Sequence, residues 1–150
     1  MSRVVLLIYH FALLLHSLRI PVLPWVINKI FVRIIFGCQI GLGAKIGKGT
    51  DLGYGGLGIV IHPKAAIGSN VRIGTGVTIG GNNGKYGAPI IHDNCLIATG
   101  AKVLGPVTIG TGSIIGANAV VIKDVPPNTV YVGVPAKFLR NARTQADVAK

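Results

Sequence analysis

A chain of 150 residues allows one domain with at most a small appendage, and a half-hydrophobic composition with 22 glycines excludes a disordered polar chain. Fifteen Lys and Arg stand against 4 Asp and no Glu, a formal charge of +11 that favours polyanions: a phosphate-rich cofactor, nucleic acid or acidic lipid. The cations are scattered, with no run of five and little aromatic interleaving, so nucleic acid is the least favoured and none is expected as a partner.

Residues 1–37 form an apolar N-terminal segment with no glycine before Gly37. Pro21 and Pro24 divide it, which predicts two helices, about 3–18 and 24–36. Neither apolar run reaches the ~20 residues needed to span a bilayer. Arg3 ahead of a short apolar run has the flavour of a signal peptide, but "HSLRIP" offers no small-residue cleavage site. Two fates fit the pattern. The apolar faces pack on the rest of the protein or a sister subunit, or they lie on a membrane surface with Arg19, Lys29 and Arg33 at the headgroups.

From residue 40 a fixed period governs the chain. Aliphatic residues recur every six positions at 40, 46 and 52, at 61, 67, 73 and 79, and at 91, 97, 103, 109, 115 and 121. Four positions after each uninterrupted start sits a small or short-branched residue, among them Ala44, Thr50, Val71, Cys95, Ala101, Ser113 and Ala119. One large and one small inward residue per six suits a narrow triangular coil whose three short strands stack at the ~4.8 Å strand spacing. The thirteen starts correspond to about four coils over residues 38–132. Cys95 falls in the inward small slot and is read as core, not nucleophile. Cys38 and Cys95 form neither a metal spacing nor a disulfide framework, which reads as reduced thiols in a cytoplasmic protein. Residues 133–150 are expected to cap the open end, with "AKFLRNARTQADVAK" as a short helix.

The period breaks twice. Leu52 to Ile61 is nine residues, so "YGGLG" (54–58) adds three; Ile79 to Ile91 makes room for a loop, "NNGKYGA" (82–88). Insertions cannot enter a stacked core, so both project from corners, where function tends to sit. His62 and His92 follow the breaks and occupy the slot directly after the aliphatic residue, which is glycine at 41, 47, 53, 68, 74, 80, 110 and 116. That slot faces outward, so neither imidazole belongs to the core. Pro63 stiffens the corner behind His62.

The hexad of aliphatic, small or acidic, any two, small and any one resembles the hexapeptide-repeat acyltransferases over residues 40–140. "VTIGG", "IATGAKVLGPVTIGTGSIIGANAVVIKDVPP" and "VYVGVPAKFLR" are similar to the serine acetyltransferase-like members. The resemblance implies a mainly β fold, a left-handed parallel β-helix with an N-terminal helical segment and a short C-terminal helix. It also implies homotrimers that bind acetyl-CoA as co-substrate in clefts between coils. The implied donor-binding positions are Gly100, Ala101 and Lys102 in "TGAKVLG", Asn118 and Ala119 in "GANAVV", and Lys123 and Lys137 for the phosphates. Serine acetyltransferases carry an Asp–His pair in the segment matching Gly53–Tyr54 and a His–Pro in the loop matching Ala88–Pro89; this chain has neither histidine.

Acyl transfer from a thioester to an alcohol needs a base with a pKa near neutrality. His62 is the candidate base and His92 a second catalytic candidate. Tyr54, Gly55 and Gly56 are expected to contact the acceptor, and backbone N–H groups among Gly53, Gly55, Gly56 and Gly58 to steady the oxyanion. Asp51 or Asp93 is the candidate carboxylate that orients the base across a subunit boundary. The expected activity is acetyl transfer to a hydroxyl of a small acceptor, a sugar of a surface polysaccharide or its precursor, with L-serine as the alternative. The departures from the family's histidines and the apolar N-terminus favour the sugar, and place the protein in the cytoplasm or at the inner face of the membrane. A zinc enzyme like the β-helical carbonic anhydrases needs three imidazoles around one metal, a set that two β-helix histidines supply poorly, and no metal is expected. A non-catalytic scaffold is the remaining reading.

Overall fold

One aliphatic side chain per six residues can fill an interior only if the chain turns after each one. In a computed structural model, which describes residues 2–82 and 86–142, the chain does so. Strands of two to four residues stack as parallel ladders on three faces. The first face holds β1 (Gln39–Ile40), β4 (Val60–Ile61), β7 (Thr78–Gly80), β10 (Lys102–Leu104) and β13 (Val120–Val121). The second holds β2 (Lys45–Ile46), β5 (Ala66–Ile67), β8 (Ile90–Ile91) and β11 (Thr108–Ile109). The third holds β3 (Asp51–Leu52), β6 (Arg72–Ile73), β9 (Leu96–Ile97), β12 (Ile114–Ile115) and β14 (Thr129–Val132). The result is a parallel β-helix of about four turns, as the repeat predicts, and left-handed, as the resemblance implies.

Stacked partners lie 18 residues apart in a regular coil, as from Val60 to Thr78. The separation is 21 across the first break, from Gln39 to Val60, and 24 across the second, from Thr78 to Lys102. The extra residues leave the ladder in register. Ile40, Ile61, Ile79, Val103 and Val121 form one buried column inside the first face, and the small slots Ala44, Ala65, Val71, Cys95, Ala101 and Ala119 are sealed beside such columns. Each large aliphatic buried in this way contributes about 1.5–3 kcal/mol.

The three corners of the prism, called edges 1, 2 and 3 after the face each follows, are built differently. Edge 2 turns through Gly49, Asn70, Asn94, Gly112 and Asn128, all at φ between 54° and 74°. Edge 3 turns through Gly37, Gly58, Gly76, Gly100 and Asn118, at φ between 56° and 73°. Glycine and asparagine are the residues that tolerate this left-handed geometry. Edge 1 has no such column among the described residues: it runs through Gly41, His62, Gly81 and Gly105–Pro106.

Helix α1 (Ser2–Ser17) lies across the open N-terminal end. It presses Val5 and Tyr9 onto the first coil and, with them, buries Ala12 fully. The Tyr9 hydroxyl donates to the Ala44 carbonyl at 2.8 Å and to the Gly41 carbonyl at 3.0 Å, groups of the first coil that have no preceding coil to pair with. Helix α2 (Leu23–Ile27), with Pro24 in its first turn, continues as a π-helix over Asn28–Ile35. Asn28 Nδ2 donates to the Ile40 carbonyl at 2.8 Å. One stripe of the N-terminal segment therefore packs on the rest of the protein.

The C-terminal end differs from expectation. Up to Asn141 the tail forms a strand, β15 (Lys137–Asn141), antiparallel to β14, and not a helix. An unpaired outer edge on β14 makes a returning hairpin the better cover, and Tyr131 meets Phe138 edge-on at 6.1 Å between ring centroids. The helix expected over 143–150 lies outside the described residues.

Candidate functional site on edge 1

His62 ends β4 and stands half-buried on edge 1. Its backbone is fixed by the stack: its N–H donates to the Ile79 carbonyl at 2.8 Å and its carbonyl accepts the Ala65 N–H at 2.9 Å. Pro63 sits so close to the preceding coil that a Cβ on Gly41 would stand 2.6 Å from the proline nitrogen and Cδ. Glycine at 41 is what makes room for His62–Pro63. In the next coil, a Cβ built on Gly81 would lie 3.9 Å from both Nε2 and Cδ2 of the imidazole. The Nε2 edge therefore lies over Gly81, with the Gly87 carbonyl 3.7 Å from the same added Cβ, at the root of the second break.

The imidazole Nδ1 accepts the Lys64 backbone N–H at 3.1 Å. A neutral ring in this arrangement carries its proton on Nε2 and presents a donor toward Gly81. Base action at Nε2 needs the other tautomer, with the proton on Nδ1. Releasing the Lys64 contact costs about 1 kcal/mol, a small barrier for an outward-facing ring.

Further along edge 1, Asn82, Leu104, Gly105, Pro106, Ile122 and Lys123 border a hollow of ≈ 280 Å³. Three strand spacings separate His62 from Lys123 along this edge, or ~14 Å. Among the seven expected donor-binding residues, Lys123 is the one that shares an edge with His62.

The remaining candidates fall elsewhere in the chain. His92 is exposed on edge 2, where it lines a hollow of ≈ 550 Å³ with Thr108, Thr111 and Asp124. Within one chain the two imidazoles stand on different corners. Asp93, beside His92, accepts the Ser69 N–H at 2.7 Å and so caps the edge 2 turn. Asp51 lies on the third face, in register with Arg72. Neither carboxylate stands on the corner that holds His62.

The insertion containing Tyr54, Gly55 and Gly56 belongs to edge 3, one strand away from His62. Tyr54 is left-handed (φ 49°) and 90% exposed, while Gly55 and Gly56 are buried. The Gly58 N–H donates to the Gly37 carbonyl at 2.8 Å, so one expected oxyanion donor is already engaged.

Gly100, Ala101, Asn118 and Ala119 also lie at edge 3. The Ala101 and Ala119 side chains are core, and the N–H and carbonyl of each are engaged in the stack. Gly100 (φ +73°) lies beneath the Asn118 carboxamide, whose Oδ1 would be 2.0 Å from an added Cβ. Lys102 Nζ donates to the Gly76 and Gly100 carbonyls at 2.7 and 3.0 Å, bridging two coils. Lys137 is exposed at the start of β15. Gly81 was not among the sequence candidates. Its signal was available: it is the second glycine of "IGGNNG", out of phase with the repeat.

Both thiols are inert by burial, which pushes Cys38 up to about 12 and Cys95 up to about 11. Among the described residues, no three His, Cys, Asp or Glu side chains are grouped so that they could hold a metal ion.

The bacterial transferase hexapeptide model (six repeats) matches residues 88–123. The serine acetyltransferase of Bacillus licheniformis is 45% identical over 109 residues, covering 71% of this chain and 50% of the relative. Soybean serine acetyltransferase complexed with serine is similar at a TM-score of 0.84 and 36% identity, covering 90% of this chain and 56% of that one. The Brucella abortus serine acetyltransferase in complex with coenzyme A gives a TM-score of 0.85 at 32% identity, over 91% and 54% of the two chains. The chain spans about half the length of the relatives it matches.

Proposed function

We propose that the chain is a member of the hexapeptide-repeat transferases and an acetyl-CoA-dependent O-acetyltransferase whose acceptor is a small hydroxyl compound, L-serine before any sugar. Similar proteins carry serine acetyltransferase as their name, and solved relatives hold serine in one case and coenzyme A in another. The saccharide acceptor favoured by the sequence alone finds no comparable support.

The observation that carries the reading is His62 itself, an imidazole in a hexad slot that is glycine at eight other positions, with its Nε2 edge over Gly81. Acetyl-CoA supplies the activated acyl group. His62 takes the proton of the acceptor hydroxyl at Nε2 as the oxygen attacks the thioester carbon, then returns it to the departing sulfur. Positioned acid–base catalysis of this kind contributes about 10²- to 10⁴-fold. Lys123 meets the phosphates as a mobile point charge. A homotrimer completes the site: edge 3 of one copy, carrying Tyr54, set against edge 1 of the next joins groups that one chain keeps on separate corners.

The test is thiol release from acetyl-CoA with a panel of serine, simple sugars and sugar nucleotides. Release with serine is expected, and no release with any acceptor would remove the reading. His62→Asn should lose at least 100-fold in turnover while keeping the oligomer and coenzyme A affinity. Full activity in that variant would remove the base assignment.

A further inference from the structure

Helix α1 has two opposite stripes. Val5, Tyr9 and Ala12 are fully buried, whereas Val4, Leu7, Phe11 and Leu14, with Leu18 just past the helix end, follow one another at steps of three and four and are 50–71% exposed. The same exposed character continues through Val22, Leu23 and Trp25 and into Ile34 and Ile35 of the π-helix. Of the 21 large hydrophobics exposed among the described residues, 12 precede Gly37, so a quarter of the chain carries more than half of them. A display this concentrated marks a contact surface.

Charge selects what covers it. Residues 1–50 contain Arg3, Arg19, Lys29, Arg33, Lys45 and Lys48 and no acidic residue; the first is Asp51. A second copy laid on this face would set cations against cations with no carboxylate between them. An anionic bilayer meets both chemistries, with phosphates for the cations and hydrocarbon for the stripe. The cations border the apolar residues: Arg3 adjoins Val4, Arg19 follows Leu18, and Lys29 Nζ lies 4.3 Å over the Trp25 ring. Trp25, Lys29 and Arg33 also border a cavity of ≈ 350 Å³ between the π-helix and the first coil. Because no described helix is long and apolar enough to cross a membrane, the contact is in the plane of the surface.

We propose that residues 1–36 dock the protein on an anionic phospholipid membrane, with the N-terminal end of the β-helix turned toward the lipid. The surface stands independently of the acceptor and of His62.

The test uses the full chain with vesicles of phosphatidylcholine alone or mixed with phosphatidylglycerol. Trp25 is the single tryptophan, so its emission reports contact directly. Sedimentation with the mixed vesicles and a blue shift of Trp25 are expected. Removing Lys29 and Arg33 as Lys29→Gln and Arg33→Gln should weaken binding about fivefold per cation. The decisive variant keeps the charge: Leu7→Ser with Phe11→Ser, at exposed positions that leave the fold intact, should weaken binding at least tenfold. Undiminished sedimentation of that variant would mean that the net charge alone attracts the protein, and would overturn the proposal. A fall in oligomeric mass with unchanged vesicle binding would overturn it as well, by assigning the stripe to a second copy.

Discussion

Replacing Tyr9 by Phe removes one oxygen from the structure and leaves the ring in place. In the native chain that oxygen donates to the Ala44 and Gly41 carbonyls at 2.8 and 3.0 Å. Gly41 keeps a second partner in the Ala44 N–H at 3.1 Å, so the main cost falls on a buried Ala44 carbonyl left without its donor. A buried unsatisfied group costs about 1–3 kcal/mol, so Tyr9→Phe should destabilise the fold by about 2 kcal/mol. At a urea m-value of about 1–3 kcal/mol/M the midpoint falls by ~1 M, read by circular dichroism at fixed protein concentration. Leu7→Ala, on the open stripe of the same helix, should stay within about 0.5 kcal/mol of the parent. The alkaline limb gives a second readout. Burial pushes the Tyr9 phenol up to about 12 from an ordinary 10.0. A group with a raised native pKa contributes stability that is fully present below pH 10 and lost as pH rises through about 12. Tyr9→Phe should show a shallower decline, because the buried Cys38 and Cys95 thiols, also raised, keep their share. If Tyr9→Phe costs no more than Leu7→Ala and declines as steeply as the parent, α1 is not the plug of the first coil.

Three more outcomes follow from edges 1 and 3 and the core. Gly81→Val should fold normally, since its backbone is not left-handed, yet lower turnover at least tenfold because the side chain would cover the Nε2 edge of His62; steady-state kinetics beside circular dichroism checks both. Lys102→Met should cost about 1 kcal/mol of stability by removing the bridge to Gly76 and Gly100 and leave coenzyme A affinity unchanged, whereas a tenfold loss of affinity at equal stability would return Lys102 to the donor site. Cys38 and Cys95, with thiols raised to about 12 and 11, stay protonated at pH 8 and should resist disulfide reagents in the native state; denaturation should release two reactive thiols.

The fold was legible because the hexad translates directly into geometry: an aliphatic and a small residue per side leave one interior, and Ile40, Ile61 and Ile79 stack where the period puts them. The site was less legible, although part of the answer is arithmetic. His62 and His92 share a slot in the hexad and lie 30 residues apart, of which six belong to the second break. The remaining 24 are four sides, and four steps around a three-sided prism end on the next corner. The same count sends Tyr54 to edge 3 and explains why Gly58 serves the stack. The bridge made by Lys102 was illegible for another reason: two backbone carbonyls that converge on an ammonium leave no mark in the sequence. The tail read as a helix because "KFLRNAR" has no breaker, but an unpaired strand edge outweighs weak local preference.

The 24-residue step between Thr78 and Lys102 has a further consequence. The six extra residues do not shift the pairing of Ile79 with Val103. Lengthening such an excursion costs only about 0.6 kcal/mol per doubling, so its size is nearly uncoupled from the solenoid that carries it. Foreign peptides grafted at 82–88 would change what approaches the imidazole and leave the scaffold beneath unaltered, which makes this corner a natural socket for engineering new acceptors.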